Sequence, residues 1–578
     1  MGVLTTLEAQ CKDCYKCIRA CPVKAIKIDG GHAQIWDEQC ILDGRCLSVC
    51  PQNAKQVRDD LPKVRSLLAS GAVLAASIAP SYVAAFDIPD PGCLVAGLRR
   101  LGFSYVAETA IGAEIVAKAH RDLLEQRQLP MITSSCPAIV NLIEKHYPKA
   151  IPYLAPVVSP MIAHGHMLHQ QYGNEVQVIF IGPCVAKKAE ADEEQFDGVI
   201  AEVLTFAELE QWFADAHINL AELVPEAYDA LDTNWGRSFP IAGGLLRTAG
   251  LSTDVLASRM ATVTGIEQSE SVIQQLISGR ELSLDIIEML ACEGGCVDGP
   301  CMVGPWEGIA RRQRLISHVE QAGKGLPDGC LFYGSEGEDG SLPAWLARTF
   351  ADRELILPEP SEEELNKILA AIGKRTLQDE LNCGACGYDS CRDKARAVYL
   401  GVAEREMCIP YMRAKAESLA QLIIESTPNG IIVVDDTLTI LAVNPAAEIM
   451  FGYRAQDLID QPLSQLITTS SFERVLKTGR LIKEIVEYSG HQITVRQYVF
   501  TPENQDIAIG IFTDITEDQE RQDELARLKA TTLERAQDVI NRQMRVAQEI
   551  AGLLGETTAE TKVLLSQLMR LMQDGDDT

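Results

Sequence analysis

The stretch Cys11-Lys-Asp-Cys14-Tyr-Lys-Cys17-Ile-Arg-Ala-Cys21-Pro22 decides the first reading. Four thiols spaced C-x2-C-x2-C-x3-C and closed by proline place several thiolates around one iron–sulfur cube while backbone N–H groups point at its sulfurs. Zinc competes for clustered cysteines, but zinc sites seldom show so tight a run. The same spacing returns at Cys40, Asp43, Cys46, Cys50 and Pro51, with Asp43 in the second cysteine's place. Three readings of that position stay open: a carboxylate ligand to the fourth iron, a three-iron cluster, or a cube completed by solvent. Paired runs of this kind exchange their fourth cysteines. One cluster then takes Cys11, Cys14, Cys17 and Cys50, and the other Cys40, Asp43, Cys46 and Cys21. An oxygen ligand is harder than a thiolate, so the two potentials should differ.

Around this run lie 578 residues with 18 cysteines and a net charge of -29. At roughly 150 residues per domain, the length suggests about four domains. The 47% hydrophobic content supplies packed cores, which excludes wholesale disorder. With 52 basic against 81 acidic residues, nucleic acid and an anionic membrane surface are poor partners. Residues 1–10 lack a basic segment followed by an apolar one, and no uncharged run approaches the ~18 apolar residues of a membrane span. A cytoplasmic location is expected, with metal rather than disulfides as the use of the cysteines.

Residues 60–355 alternate apolar strand-like runs, such as 72–78, 176–181 and 199–203, with helical stretches, which is α/β behaviour. Cysteines follow the strand-like runs in turns: Thr133-Ser-Ser-Cys136-Pro137, Pro183-Cys184-Val-Ala-Lys187-Lys-Ala-Glu190, and Glu288-Met-Leu-Ala-Cys292-Glu-Gly-Gly-Cys296. Strand ends facing helix starts are where open α/β sheets bind ligands. An isolated buried cysteine is the bland reading of each, but here the flanking residues are Pro, Gly or Lys.

These three stretches resemble the TSCCP, PCxxKxxE and ExxxCxxxC signatures of the [FeFe]-hydrogenases, behind a ferredoxin-type module, and the resemblance covers roughly residues 1–355. It implies that Cys136, Cys184, Cys292 and Cys296 hold the [4Fe-4S] part of an H-cluster. Cys296 would bridge to a diiron subcluster carrying CO, cyanide and a dithiolate amine. By the same resemblance Lys187 donates to one cyanide, a charge-assisted bond to an anionic acceptor, and Ala79-Pro80-Ser81 contacts the other. The chain also departs from the family. Ser135 stands where catalytic members have a proton-passing cysteine, and a hydroxyl ionises far less readily than a thiol. The helix expected over 107–124 carries Ala117 near the place of the next proton carrier, with Glu108 and Glu114 elsewhere. Gly182 and Leu290 replace two methionines. Ala138 and Ile139 stand for Gly and Trp, and Gly299-Pro300-Cys301 for a glycine string. Together these changes point to slow turnover.

A third set, Cys383, Cys386, Cys391 and Cys408, resembles small four-cysteine [4Fe-4S] modules, with tight turns at Gly384 and Gly387, although C-x2-C pairs also suit zinc. Residues 358–381 before it read as an acidic helical connector. After Cys408 no cysteine remains. Runs at 430–434, 437–443, 484–488, 493–500 and 507–512, a helix over 419–425, Asn444-Pro-Ala-Ala-Glu448 and Asp514-Ile-Thr516 resemble a PAS domain. Its His491 reads as a surface residue at a turn. Residues 518–572 read as a long helix with a heptad seam of Ala536, Val539, Gln543, Val546, Ile550 and Leu553, continued by Leu564, Leu568 and Leu571. No histidine follows His491, so a phosphoacceptor histidine is not expected. Of the three remaining cysteines, Cys93 and Cys330 read as structural and Cys301 as a neighbour of the diiron pocket.

The expected architecture is multidomain, α/β and α+β. It comprises a ferredoxin-like 2[4Fe-4S] module (1–58), an α/β H-cluster domain (59–355), a small [4Fe-4S] module (356–413), a PAS domain (414–517) and a C-terminal coiled coil (518–578). The resemblance implies H2 and protons as substrates, ferredoxin as an electron partner, a homodimer through PAS and coiled coil, and a separate signalling kinase or phosphatase. Three functions compete: a slow H-cluster sensor, a ferredoxin-linked hydrogenase, and an iron–sulfur relay lacking the diiron site.

Overall fold

The computed structural model describes residues 2–553 except 125–128, 230–234, 255–258, 281, 323–341 and 503–504, and beyond them residues 563–564 and 566–567. Cys330, Leu568 and Leu571 lie outside the described residues. The chain divides into two compact units, Met1–Met412 and Arg413–Thr578.

The first unit opens with two small antiparallel pairs. β1 (Leu4–Thr6) pairs with β4 (Lys55–Val57), and β2 (Ile26–Asp29) with β3 (His32–Ile35). Short helices Lys16–Ala20 and Arg45–Val49 carry the middle of each cysteine run. The two runs repeat each other in backbone as well as spacing. Asp13, Tyr15 and Lys24 in the first, and Leu42, Gly44 and Asn53 at the matching places of the second, all have positive φ. Side chains rarely adopt that conformation, and here it folds the chain back around the thiols.

Two parallel sheets follow. The strands are β5 (Leu74–Ile78), β6 (Tyr105–Glu108), β7 (Met131–Ile132), β8 (Gln177–Gly182), β9 (Glu202–Thr205), β10 (Met260–Thr264) and β11 (Ile286–Leu290). They order as β6-β5-β8-β9 and β10-β11-β7. β5 and β11 are buried at every position, as strands covered on both faces must be, which explains their unbroken apolar runs. Two expectations shift. The run at 199–203 becomes a strand only from Glu202, where it pairs with Ile179 of β8. Ala107 and Glu108 end a strand instead of opening a helix, because they pair with Ser77 and Ile78, and the helix runs Ala110–Leu124.

The last part of this unit is helical. Within the expected connector 358–381 the α-helix is Glu362–Ala371, started by a reciprocal Ser361–Glu364 cap. It packs on the helix Cys391–Tyr399 through Leu365, Leu369 and Ala395. The ferredoxin-like runs, the strand ends around Ile132 and Ala291, and the small module through Tyr388 and Met407 share one apolar core.

The second unit is an antiparallel sheet in the order β13-β12-β16-β15-β14. The strands are β12 (Gly430–Asp435), β13 (Ile440–Val443), β14 (Ile482–Tyr488), β15 (Ile493–Phe500) and β16 (Ile507–Asp514). β12 alternates buried and half-buried residues, the period of a one-sided sheet. Phe451, Phe472 and Phe512 fill its core. The sequence motifs have clear physical roles. Asn444 caps the helix Pro445–Phe451. Asp514 accepts from Thr516 N at 2.9 Å as the helix Thr516–Leu553 begins. His491 is half-buried instead of a surface residue: its ring meets Phe451 edge-on and its Nε2 lies 3.1 Å from the Leu466 carbonyl. The helix Ile409–Ser426 contains the expected 419–425 segment. No helix among the described residues is long and apolar enough to cross a membrane.

Candidate metal centres

The structure brings Cys21 of the first N-terminal run beside Cys40, Asp43 and Cys46 of the second, the exchange expected for that set. Burial, with Asp43 and Cys40 of the other run, pushes Cys21 up to about 12. Cys46 is raised by burial and then by Cys40, Asp43 and Cys21. Cys17 is raised by burial and, among other causes, by Cys11 and Cys14. A backbone N–H is aimed at each run's last sulfur: Ala25 N lies 3.2 Å from Cys21 Sγ, and Ala54 N 3.3 Å from Cys50 Sγ. Asp43 is buried, which raises its carboxyl, and its Oδ2 has no hydrogen-bond partner. Crowded thiols that raise one another, beside an unpartnered carboxylate oxygen, fit a cluster whose cations relieve the repulsion. Sequence reading missed Asp13 and His32, which stand beside Cys11. Asp13 Oδ1 lies 3.3 Å from both Cys11 Sγ and His32 Nδ1, contacts that spacing along the chain does not signal.

The second centre lies at the carboxyl ends of the two parallel sheets. Cys184 follows β8, Cys292 follows β11, and Cys136 caps the helix Pro137–His146 after β7. Cys296 opens a 3-10 turn, Cys296–Asp298. Burial raises all of Cys184, Cys292 and Cys296. Cys136 raises Cys184, and Cys184 and Cys136 raise the other two, so the four thiols share one space. Cys301 is held beside them by Cys301 N to Pro183 O at 3.1 Å. Cys93 is buried away from them, against the Leu223 carbonyl.

The remaining predicted residues fall as follows. Ser81 and Ser135 are buried and their hydroxyls have no partner. Such groups cost free energy unless a ligand satisfies them, so they fit a polar group bound between the sheets. Lys187 is buried, and its Nζ donates to Glu190 Oε2 at 2.7 Å. Glu190 also accepts from Ser159 Oγ at 2.9 Å and Arg348 Nη1 at 2.7 Å. Gly182 and Leu290 end β8 and β11. A Cβ at Gly182 would stand 2.8 Å from the Phe180 ring and 3.0 Å from Ala79 Cβ, so this ring occupies the space a longer side chain would need. Glu288, in the third motif, is pushed up to about 7 by burial, against the N–H groups of Leu245, Leu246 and Gly243. Glu108 is buried and accepts from Arg237 Nε at 2.7 Å. Burial raises its carboxyl, but His318 and Arg237 outweigh that and hold it low. Neither Arg237 nor His318 carries a sequence signal for this contact.

In the third set, Cys383, Cys386, Cys391 and Cys408 line one small cavity with Tyr388 and Lys394. Gly384 and Gly387 take positive φ, as the turns require. Asn382 Oδ1 accepts from Cys391 N at 2.7 Å, and Ser390 caps the following helix by accepting from Asp393 N. Cys14 and Cys383 are exposed ligand positions of their sets.

The fold and these thiol sets define a protein with several candidate iron–sulfur centres in one unit and a five-stranded antiparallel sheet in the other. Comparison with known families narrows the class. The model described as iron only hydrogenase large subunit, C-terminal domain, matches residues 72–300, a 4Fe-4S dicluster domain matches 10–54, an Fe-S cluster model matches 379–410 and the PAS fold matches 419–506. The chain is an iron-only-hydrogenase-like protein that contains a PAS domain. It is 26% identical to iron hydrogenase 1 of Clostridium pasteurianum over 51% of this chain and 64% of that one. It is 24% identical to the cytosolic Fe-S cluster assembly factor NAR1 of Yarrowia lipolytica over 47% of this chain and 74% of that one. With the NADP-reducing hydrogenase subunit HndD of Solidesulfovibrio fructosivorans the match is 26% over 50% and 60%. The chain thus spans less than two thirds of the length of both hydrogenase relatives. Among solved structures, the [FeFe]-hydrogenase HydA1 of Chlamydomonas reinhardtii aligns at TM-score 0.42 and 22% identity, over 50% of this chain and 99% of that one.

Proposed function

We propose that the chain is an H-cluster protein that senses H2 or redox state through slow H2 oxidation and proton reduction, and signals through its PAS domain and C-terminal helix. The observation that carries this reading is Ser135, a buried hydroxyl without a partner beside Cys136, at the place of a proton-passing thiol. Cubes would sit on Cys11, Cys14, Cys17 and Cys50, on Cys136, Cys184, Cys292 and Cys296, and on Cys383, Cys386, Cys391 and Cys408. A cube or three-iron cluster would sit on Cys21, Cys40, Asp43 and Cys46. The diiron group, when bound, supplies the site of H2 cleavage. Cys296 would join it to its cube, with Ala79, Pro80, Ser81, Gly182 and Leu290 around it. Lys187, once released from Glu190, has the charge and reach to hold a cyanide. Ser135 can hold a proton only by hydrogen bonding, because a hydroxyl does not ionise near neutral pH. A proton leaving the site here finds no ionisable first carrier, which makes transfer slow.

The modules would fall at 1–58, 59–355, 356–413, 414–517 and 518–578. Val539, Val546 and Ile550 are each about half exposed along the last helix, which supports a coiled-coil homodimer as the output, read by a signalling kinase or phosphatase. The described cysteines are all free thiols, which supports a cytoplasmic setting. A ferredoxin-linked hydrogenase is the second reading, favoured by exposed Cys14 and Cys383, where an electron carrier could dock. The relay without diiron iron is favoured by the Lys187–Glu190 pair, which gives Lys187 a purely structural use.

Infrared spectra of the chain matured with its metal groups test the proposal. CO and cyanide bands are expected, and their absence at full iron content selects the relay. Ser135→Cys should raise H2–D2 exchange by about 10²-fold, the usual worth of a placed proton carrier. An unchanged rate would sink the proton-path argument, and a high rate in the unaltered chain would select the metabolic enzyme.

A further inference from the structure

The small module docks on the helix Lys16–Ala20, which carries Cys17 and leads into Cys21. Arg19 Nη1 donates to the Ala385 carbonyl at 3.2 Å, and Arg19 Nη2 to Cys14 O at 3.0 Å. Gly387 lies so close that a Cβ there would be 3.1 Å from Arg19 N and from Ile18 Cγ2. Ile28 N donates to Val402 O at 2.9 Å, joining the two modules through the backbone. Beside this contact stands Tyr388, 5% exposed, in one apolar core with Cys17, Ile18 and Cys21. It lines the cavity of Cys383, Cys386, Cys391 and Cys408, and its hydroxyl has no partner. The ring therefore lies between the cavity of the third thiol set and the apolar core that contains Cys17 and Cys21. A Cβ at Gly44 would be 2.5 Å from Pro300, and Asn141 Nδ2 donates to Ile41 O at 3.3 Å.

We propose that the cluster on Cys383, Cys386, Cys391 and Cys408 exchanges electrons directly with the cluster on Cys21, Cys40, Asp43 and Cys46, with Tyr388 as the bridge between them. This rests on the reading above that both thiol sets hold iron–sulfur clusters. Each exchange moves one electron: the reduced cluster is oxidised by one unit, its neighbour is reduced by one, and no bond or proton changes place. The Asp43 cluster then stands between the small module and the Cys136–Cys296 centre. Cys408 is followed at once by the helix Ile409–Ser426, so the small module is where the electron chain meets the segment leading to the PAS domain.

The test uses the full chain reconstituted with iron and sulfide and reduced with dithionite. Neighbouring reduced clusters split each other's paramagnetic resonance lines. The double variant Cys383→Ser/Cys386→Ser should lose one cluster's worth of iron and also lose splitting from the ferredoxin signals. If its spectrum equals the parent's minus one isolated signal, the bridge is wrong while the clusters stand. If its iron content is unchanged, the small module holds no cluster, and both the bridge and the earlier reading of that module fall. After flash photoreduction, Tyr388→Leu should slow the approach of the clusters to redox equilibrium and Tyr388→Phe should restore it. Equal rates in the parent and the Leu variant overturn the role of Tyr388.

Discussion

The two units treat buried polar groups in opposite ways. In the first, Asp43, Ser81, Ser135, Glu288 and Tyr388 each keep a buried polar atom without a hydrogen-bond partner. Asp43 belongs to a predicted ligand set, Ser135 adjoins Cys136 in sequence, and Tyr388 lines the cavity of the third set. In the second unit, every buried polar side-chain atom among the described residues has a partner. Asn444 is the clearest case. Its Oδ1 accepts from Ile431 N at 2.7 Å and Ala447 N at 3.0 Å, and its Nδ2 donates to Ile424 O at 3.0 Å and Asn429 O at 2.9 Å. Unpaired polar groups are costly in a core, so they persist where a ligand or a reaction uses them. By this measure the candidate chemistry lies in the first unit, and the described core of the second holds no such open group.

The contrast can be pressed hardest at a buried charge that is fully paired. Lys188 Nζ, wholly buried, donates to Asp60 Oδ2 at 2.9 Å, Val203 O at 2.8 Å and Glu208 Oε1 at 3.0 Å. Burial pushes the Asp60 carboxyl up, but Lys188 and Arg58 outweigh it and hold the group below its usual range. Lys188→Met takes the one wholly buried cation from Asp60, which keeps Arg58 and Lys63, and leaves the Val203 carbonyl without its lysine, so it should cost about 3 kcal/mol. All five tryptophans lie before residue 346, so tryptophan fluorescence reads the first unit alone. The second unit's transition should stay where it was. A smaller effect is expected in the second unit. Asn444→Ala removes the side-chain partner of Ile431 N, Ile424 O and Asn429 O, while Ala447 N keeps the residue 444 carbonyl, and should cost about 2–3 kcal/mol. The loss should appear in circular dichroism of the sheet and helix with tryptophan fluorescence unmoved. A shift in both signals would mean that the units unfold as one.

The candidate cysteine sets were legible because thiolate spacing is local: a cube constrains ligands a few residues apart, and a helix cap such as Asn444 acts within one turn. The backbone repeat behind the two N-terminal runs was less visible, since positive φ falls on Tyr15 and Leu42 as well as Gly44. What sequence could not show was the far partner. Glu190 stands in a recognisable motif, yet its anchors are Ser159 and Arg348, on other elements. Glu108 belongs to the strand because of its register with Ile78, a pairing that helical periodicity cannot exclude. The Phe180 ring against Gly182 likewise depends on how β8 packs beside Ala79.

His164 is the smallest test and the one that sharpens the contrast most, because its partnerless atom adjoins no cysteine. It is fully buried, its Nδ1 lies 2.7 Å from Ser77 Oγ, and its Nε2 has no partner. Ser77 in turn is 2.8 Å from Thr109 Oγ1. Burial lowers the imidazole to about 3, with Glu108 opposing. An unfolded histidine titrates near 6.5, so between the two values the unfolded chain binds a proton that the folded chain does not. Stability from this group is therefore whole above about 6.5 and falls as pH drops through the window, by up to ~1.4 kcal/mol per unit. His164→Gln removes the titration and should flatten that part of the pH profile of urea unfolding read by tryptophan fluorescence. Between about pH 7.5 and 5.5 the variant should lose less stability than the parent, even if it starts lower. If the two slopes coincide, His164 is protonated in the folded chain. Its Nε2 would then have a proton to place, and it would join the ligand-facing groups instead of standing as a cost of packing.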